Sequence, residues 1–511
     1  MPKAARGRSA LINSLYGIGG LVLALLLAAT PASPFYLVGR GLYLCTVLTP
    51  MFVIAPAAAI SPTVHVNILL PLMRRSLGCS AALVKWGQWA ATRPDLVPAS
   101  LCDVLSALHA HAPVHTAGVS RGEIEAAIGT SIESYFESFS DTPLASGSIG
   151  QIHVARLNGT QVAVKVRHPR VSAELEADFQ LLELVAAIID RLPGLGWLDA
   201  QSTIRQFGWA LQRQASLEDE AHWLRAVGHN FRSWTDVIIP QPILATPSVL
   251  IETLAPGLPI GEYISFAART RSAHDHVEGR KQLSAAQRHY IVQRGVDIYY
   301  KMLLSDNLMH ADLHPGNLLF DEKGREGLGA IGMVDLGMTA VLTPEEQHNF
   351  IGFLVAVGEG DGRSAARCVL RWAGERGAYS RGKTPQDLPP RGHAFIEAMA
   401  CSFGVHCLGY GHGIDLGVVL RETLGLIRDH RIPVGANYVT LVVNAMCLEG
   451  MARQLVPEYN VMDAARPLLV AHAKLPRHVF SLINPAARLA KRIHDRKTLR
   501  LLRGWREVEG I

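Results

Sequence analysis

Apolar positions in this chain fall into a few long runs near its start and into helix- or strand-period patterns after them. Leu15–Ala29 is a short run containing glycine. Leu42–Ile60 is longer, broken by Pro50 and Pro56, with Arg40 before it and Arg74-Arg75 after it. A membrane-spanning helix needs about 20 apolar residues and tolerates proline, so the second run just reaches that length, whereas the first has the size of a signal-like core. No Asp or Glu precedes Asp95, and Lys3, Arg6, Arg8 and Ser9 mark the start. Three readings stay open: an organelle-targeting presequence followed by one transmembrane helix, a helical hairpin that crosses twice, and a buried apolar helix of a soluble domain. An acid-free, Arg-bearing start favours mitochondrial import over secretion.

Further on, Leu83 to Pro94 reads as a helix ended by proline, and Ser120-Arg-Gly-Glu123 as the capped start of a helix to about Ile128. Ile132–Phe139 continues that amphipathic pattern. Gln161–Val166 alternates with β-branched residues and predicts a strand with Lys165 on the face of Ala163. Val249–Glu252 predicts another, turning away at Pro256-Gly257. Gln287–Met309 has Val292, Val296, Tyr299, Leu303 and Leu304 on one helical face. Pro344 opens a helix, Gly358–Gly392 reads as a Gly/Pro-rich connector, and Val418–Ile427 and Val439–Met451 read as core helices. The tail, Lys474–Arg506, is basic with apolar residues between the charges; it is either a solvated helix end or a contact for an anionic membrane surface.

Composition adjusts this picture in three ways. Charged residues make up only 18% of the 511 positions, an apolar tilt. The net charge of +5, without a basic-aromatic stripe, argues against nucleic acid as a partner. Seven scattered cysteines without a CxxC argue for a reducing compartment. Cys401, His406, Cys407 and His412 lie close in sequence but at no zinc spacing, so they read as ordinary packing.

The chemistry concentrates in His310-Ala-Asp-Leu-His-Pro-Gly-Asn317 and Asp335-Leu-Gly337. A kinase catalytic loop uses the same parts: one Asp at the acceptor or attacking group, an Asn on metal, and the Asp of an Asp-apolar-Gly turn on the Mg²⁺ that bridges nucleotide phosphates. Those roles fall to Asp312, Asn317 and Asp335. Pro315 stiffens the loop and Gly316 lets it turn. Upstream, Ala145-Ser146-Gly147-Ser148 supplies small residues that let backbone N–H groups approach phosphate oxygens. Lys165, about 20 residues later, is placed to hold the α and β phosphates.

These motifs resemble the UbiB atypical kinases, also called aarF-domain-containing kinases, over about Leu83 to Gly337. The family carries His-Ala-Asp then His-Pro-Gly-Asn where ordinary protein kinases carry His-Arg-Asp. Lys85-Trp-Gly87-Gln88, followed by Arg93, Asp95 and Pro98, matches its Lys-x-Gly-Gln signature. The resemblance implies a helix that covers the nucleotide site, with Lys85 and Gln88 reaching into it, and so a poor fit for protein substrates. Gly147 departs from the family's usual Ala. Glu220 is the expected partner of Lys165. Aligned on Glu220-Ala221, the acidic places of the family's Glu-x-Asp motif hold Gln214 and Ser216, unless Glu218 and Asp219 substitute by a register shift. One mitochondrial branch also has Gln at the first place. By position, Glu252–Leu254 form the hinge that meets the adenine edge.

The expected fold is α+β, a bilobal protein-kinase-like domain with a helical N-terminal extension and a membrane-associated start. The expected divisions are 1–62 (targeting and hydrophobic membrane segments), 63–141 (extension), 142–257 (smaller lobe), 258–475 (larger lobe) and 476–511 (basic tail). The expected ligands are ATP and Mg²⁺. The resemblance implies a membrane or quinone-type lipid partner, support of quinone biosynthesis with its proteins, and the mitochondrial inner membrane, with plastid and bacterial membranes as alternatives. Two activities compete: an ATPase or phosphotransferase, and a nucleotide-gated regulator without catalysis. Aminoglycoside- or choline-type kinases share the His-x-Asp loop but lack the Lys85–Gln88 extension. No Ala-Pro-Glu signature follows Asp335, which argues against a peptide-substrate platform.

Overall fold

The structure is a computed structural model that describes residues 34–91, 105, 114–193, 200–265, 283–324, 328–373, 390–475 and 480. The basic start, the Leu15–Ala29 run, Arg93, Asp95, Pro98 and nearly all of the basic tail lie outside the described residues. The chain divides into two compact units. One comprises residues up to Gly159, Val164–Ser216 and Thr246–Val249; the other comprises Thr160–Ala163, Leu217–Ala245 and Leu250 onward.

In the first unit the second apolar run becomes α1 (Pro34–Ile60), which continues through Pro50 and Pro56. Among the described residues it is the one helix long and apolar enough to cross a membrane. The chain then returns through Pro62–Val64, a π-helical turn at His65–Leu69 and α2 (Leu70–Leu77). The segment with Lys85, Gly87 and Gln88 is α3 (Ala81–Ala91). α4 (Ala117–Ile128) ends where expected, at left-handed Gly129, but it starts earlier: Thr116 occupies the cap position, and Ser120 lies inside the helix. Its hydroxyl has other partners, described below. The amphipathic pattern after it also misled. Only Ile132–Tyr135 is helical, and β1 (Ser138–Phe139) follows, because Phe139 is needed as a strand residue beside Ala155. β2 (Ala145–Ser146), β3 (Gly150–Leu157) and β4 (Thr160–Arg167) follow, then α5 (Val171–Arg191) and α6 (Ala200–Gln214). Leu175 and Phe179 of α5 share a core with Ile204, Phe207 and Leu211 of α6.

The second unit begins with α7 (Leu217–Phe231), β5 (Val237–Ile238), β6 (Pro242–Ala245), β7 (Val249–Thr253) and β8 (Leu258–Pro259). α8 (Ala285–Lys301) starts at a capping box between Ser284 and Gln287. The predicted run to Met309 is shorter: α8 passes into a π-helical turn, Met302–Asp306, ended by left-handed Asn307, and Met309 belongs to β9 (Met309–His310). β10 (Leu318–Asp321), β11 (Ala330–Met333) and β12 (Thr339–Ala340) complete the strands. α9 (Pro344–Glu359) opens at Pro344 behind a capping box between Thr343 and Glu346. Gly362–Ala373, expected as connector, is a helix, α10, whose apolar residues Ala365, Ala366, Val369 and Leu370 are buried in the core. α11 (Pro390–His406), α12 (Leu416–Asp429), α13 (Ala436–Leu455) and α14 (Val461–Lys474) finish the unit. The face of α8 that carries Val292, Val296 and Tyr299 lies, with Leu303 of the π-helical turn, in one core with Leu441 and Leu448 of α13 and Leu469 of α14.

Strand order is β1-β3-β4-β7-β6 in one sheet, with β2 also paired to β3; it is β5-β11-β10-β8 in a second, and β12 pairs β9. This is a mixed α+β, kinase-like fold with a helical N-terminal region.

Candidate active site

The second unit assembles the loop chemistry. β9 delivers His310, β10 carries the chain away after Asn317, and β11 runs antiparallel to β10 and ends just before Asp335. His310 organises the loop from below. Its Nε2 donates to the Val334 carbonyl (3.2 Å), and its Nδ1 accepts from the Asp312 N–H (3.2 Å). One imidazole therefore ties the strand leading to Asp335 to the backbone of Asp312. Burial pushes the pKa of His310 below its ordinary value, against the opposite pull of Asp312 and Asp335. The neutral ring is what this donor-acceptor pair requires.

The Asp312 carbonyl accepts from the His314 N–H (3.1 Å) and from Asn317 Nδ2 (3.0 Å). The Asn317 amide nitrogen is thus committed, and its Oδ1 is the atom left to face a cation. The Val334 N–H donates to the Asn317 carbonyl (3.0 Å), which closes the link between the two motifs. Asp335 is held at φ 58°, in the left-handed region where Asp is tolerated but uncommon. Gly316 is not in the left-handed region, and a Cβ there would meet only the His314 ring, 2.7 Å from its Cε1, which can move aside.

Sequence reading missed Asn444. This buried side chain on α13 accepts from the Leu313 N–H (3.3 Å) and donates to the His310 carbonyl (2.7 Å), so it braces the loop from both ends. Glu220 is buried on α7 among Leu217, Ala221 and Leu224. At the expected hinge, Glu252 is buried in β7, the Leu254 N–H donates to the Gln161 carbonyl (3.2 Å), and Gly257 turns the chain at φ 101°. A Cβ at Gly257 would lie 2.4 Å from the Phe320 carbonyl oxygen, so the turn requires glycine.

The first unit assembles the small-residue loop, the Lys165 strand and α3. Ala145 and Ser146 pair with Ile152 and Gln151, and the Gly147 N–H donates to the Gly150 carbonyl (2.9 Å), so residues 145–150 form a tight hairpin. Lys165 shares a strand face with Ala163, while Val162, Val164 and Val166 are buried on the other. Arg167 Nη1 donates to the Ala215 carbonyl (3.0 Å), which fastens the turn holding Gln214 and Ser216 to the end of β4. Ala82 and Trp86 of α3, Ile149 of the hairpin, and Leu211 and Ala215 share one core. Lys85 and Gln88, three apart, share a face of α3. Ser148 Oγ and Gln214 Oε1 are buried with no hydrogen-bond partner among the described residues, the condition expected of groups that serve a ligand.

Two side-chain clusters here had no sequence signal. Ser80 caps α3 by accepting the Leu83 N–H (3.2 Å) and donates its own proton to Asp178. Asp178 also takes both arms of Arg40, at 2.7 and 2.8 Å. The second cluster links three histidines under the hairpin. His168 Nε2 donates to the Gly147 carbonyl (2.9 Å), which leaves its Nδ1 to accept from His115 Nδ1 (2.6 Å). His115 Nε2 then accepts from Ser120 Oγ (2.9 Å), and Gln151 Nε2 lies 3.0 Å from both Ser120 Oγ and His153 Nε2. His153 Nδ1 donates to the Ser140 carbonyl (2.8 Å). Ser120 Oγ also lies 2.9 Å from His153 Nε2, and only one proton fits between the two facing Nδ1 atoms, so His115 and His168 cannot both carry a second proton.

That constraint has a measurable sign. Burial, then the His168 and His153 rings, push His115 from 6.5 to about 4, with Glu123 pulling the other way; burial also lowers His168. A folded pKa below the unfolded one adds stability that is complete above pH 6.5 and lost as pH falls towards 4. The melting temperature should therefore drop on acidification through this window, and His115→Gln should flatten that drop. Equal slopes in parent and variant would refute the lowered titration of His115.

Among the described residues no group of three or more His, Cys, Asp or Glu side chains is arranged to hold a metal ion. Cys407 instead donates to the Val357 carbonyl (3.0 Å), as ordinary packing predicts. Asp312, Asn317 and Asp335 offer two carboxylates and an amide oxygen, hard donors that suit Mg²⁺.

Residues 107–369 match the model of the ABC1 atypical kinase-like domain. Among curated relatives, the chain is 28% identical to a probable serine/threonine-protein kinase of Dictyostelium discoideum, over 78% of this chain and 63% of that one. It is 25% identical to a mitochondrial ABC1 family protein of Schizosaccharomyces pombe, over 93% and 76% respectively. It is 27% identical to a probable protein kinase UbiB of Shewanella woodyi, over 78% and 68%. The chain thus spans less than two thirds of the Dictyostelium protein.

Proposed function

Because this chain belongs to the ABC1 atypical kinase-like family, we propose that it is a membrane-associated ATP-binding enzyme that hydrolyses ATP or transfers its γ-phosphate. The observation that carries this reading is the bonding of the Asp312–Asn317 loop to the strand leading to Asp335 through His310 and Asn317. Lys165 holds the α and β phosphates and Glu220 orients it. The hairpin Ala145–Ser148 lies along the phosphates, with Ser148 Oγ free to donate. Asn317 and Asp335 hold Mg²⁺, which neutralises phosphate charge when bound. Asp312 accepts the proton of the attacking water or hydroxyl as the bond to the leaving nucleoside diphosphate breaks. At the hinge Glu252 and Leu254 meet adenine; the Leu254 N–H is engaged with Gln161, so its carbonyl is the group available. Lys85, Gly87 and Gln88 belong to the covering helix.

The Schizosaccharomyces pombe relative, named as mitochondrial, supports the mitochondrion as the site of action, and within it we assign the inner membrane. Support of quinone biosynthesis or mitochondrial lipid metabolism, with a quinone-type lipid or the proteins of that route as partner, is the physiological task we assign. A branch of the family with Gln at the first acidic position is the expected home of this chain, given Gln214.

Gln214 and Ser216 favour a second reading. Two carboxylates of the family pattern are neutral here, and Gln214 Oε1 is buried without a partner. ATP would then bias the packing of α3 without turning over. Phosphate release, measured with and without lipid vesicles, separates the two. Catalysis predicts release at least ~100-fold above an Asp312→Ala control. Release equal to that control under every lipid condition selects the regulator.

A further inference from the structure

Residues beyond the nucleotide machinery carry an inference about how this protein meets a membrane. α1 is long enough to span, but one face of its first half is closed against the protein core, with Val38 and Leu42 exposed on the other. Tyr36, Arg40, Tyr43, Leu44 and Val47 are buried at helical spacing, in one core with Leu77, Leu83 and Ala177. Arg40 is locked to Asp178 and Glu174 of α5. The return arm is fixed at the same level, where Ser76 Oγ donates to the Val47 carbonyl (2.9 Å).

Only the part of α1 beyond Val47 leaves that core. It amounts to ~13 residues, about 20 Å of helix. A crossing needs about 20 residues and a hydrocarbon core of about 30 Å, or about 40 Å with both headgroup layers, so the free segment is too short to cross and matches one leaflet counted with its headgroup layer. The chain then comes straight back through Pro62–Leu77 and packs along α1.

The chemistry of this hairpin suits lipid. No Asp, Glu, Lys or Arg occurs between Arg40 and Arg74. Its outward side chains are apolar and bare: Phe52 is 66% exposed, Val53 71%, Ile60 87% and Val66 57%. His65 and Asn67 are its most polar members. Thr46 and Thr49 turn their hydroxyls to the carbonyls four residues back, which satisfies them without water. At the base, where the hairpin meets the core, Arg74-Arg75 follow and Arg75 is exposed, as a contact for anionic headgroups requires.

We propose that Pro50–Leu72 is a re-entrant apolar hairpin that enters one leaflet of an anionic bilayer and turns back at Ile60–Pro62, without spanning. This differs from both spanning readings of the sequence, and it does not depend on the nucleotide chemistry.

The test uses the full chain and vesicles of phosphatidylcholine with about a quarter phosphatidylglycerol. The parent should float with them. Phe52→Glu combined with Val53→Glu should lower partitioning more than ~100-fold. Arg75→Gln should lower it about five-fold, and only when the vesicles are anionic. The ATP-induced thermal shift, read separately, should be unchanged in both variants. Depth is read from Ile60→Trp with brominated lipids, as the difference from the parent signal. Quenching strongest from bromines deep in the acyl chains is the expected result. Strongest quenching from bromines near the headgroups would place Ile60 at a bilayer surface, as in a full crossing or a surface-lying helix, and would overturn the proposal. So would a parent that does not float. A Phe52→Glu, Val53→Glu variant that floats like the parent would overturn it too, as would a defined dimer that this variant dissolves while lipid binding is absent, since the hairpin would then cover a second copy.

Discussion

Asp335→Asn should abolish the magnesium-dependent thermal stabilisation that ATP confers, while the ligand-free protein melts close to the parent temperature. The reason lies in the backbone. Asp335 sits at φ 58°, a conformation that costs most side chains on the order of 1 kcal/mol or more but that Asn adopts as readily as Asp. The substitution therefore keeps shape and hydrogen-bonding size and removes only the negative charge. His310, Asn317 and Val334 keep their mutual bonds, which run through backbone groups and the His310 and Asn317 side chains. At a ligand concentration of about 100 Kd, binding stabilises the native state by about 2.7 kcal/mol. Loss of the one carboxylate proposed to hold the cation should erase nearly all of it. The measurement is thermal unfolding with ATP and Mg²⁺, with ATP and chelator, and without nucleotide. An undiminished shift in the variant would defeat the assignment of Asp335 to the metal.

Asp178→Ala should be the most destabilising single substitution in the first unit. Arg40 is 2% exposed and Asp178 0%, so removing the carboxylate leaves a guanidinium buried without its bidentate partner. Breaking a buried pair in this way costs about 3–5 kcal/mol. Ser80 loses its acceptor in the same step, which loosens the cap of α3 by up to ~1 kcal/mol more. Glu174, 3.3 Å from Arg40 Nη2, recovers part of the loss. The paired replacement Arg40→Met with Asp178→Leu should behave differently, close to the parent or more stable, because an apolar pair of similar volume needs no desolvation. Unfolding midpoints of Arg40→Met, of Asp178→Leu and of the two combined give the coupling energy directly. A single Asp178→Ala variant within about 1 kcal/mol of the parent would show that this pair is solvated, and the anchoring of α1 to the core would lose its main support.

The loop His310–Asn317 and the turn at Asp335 were legible because their chemistry is local: a carboxylate, an amide five positions on and a second carboxylate after a buried strand. The strand of Lys165 and the opening of α9 at Pro344 were legible for a similar reason, through period-2 alternation and a proline suited to the first helical position. The misreadings have a local cause as well. Gly362–Ala373 is interrupted by glycine and arginine, and its helix is fixed by burial of Ala365, Val369 and Leu370 in a core that no window of sequence contains. Ser120 has the sequence context of a cap, yet its hydroxyl belongs to a network with His115, Gln151 and His153.

What the sequence determined by itself is therefore the list of reacting groups and the elements that carry them, since both are written in spacings of a few residues that sterics and hydrogen bonding convert into strands, helices and turns. Only the tertiary structure decided which distant polar groups meet. Arg40 finds Asp178 across 138 positions, and Asn444 reaches His310 across 134. Such pairs leave no periodic trace, because they arise when two separately formed faces dock and each buried polar atom must then find a partner or be left without one.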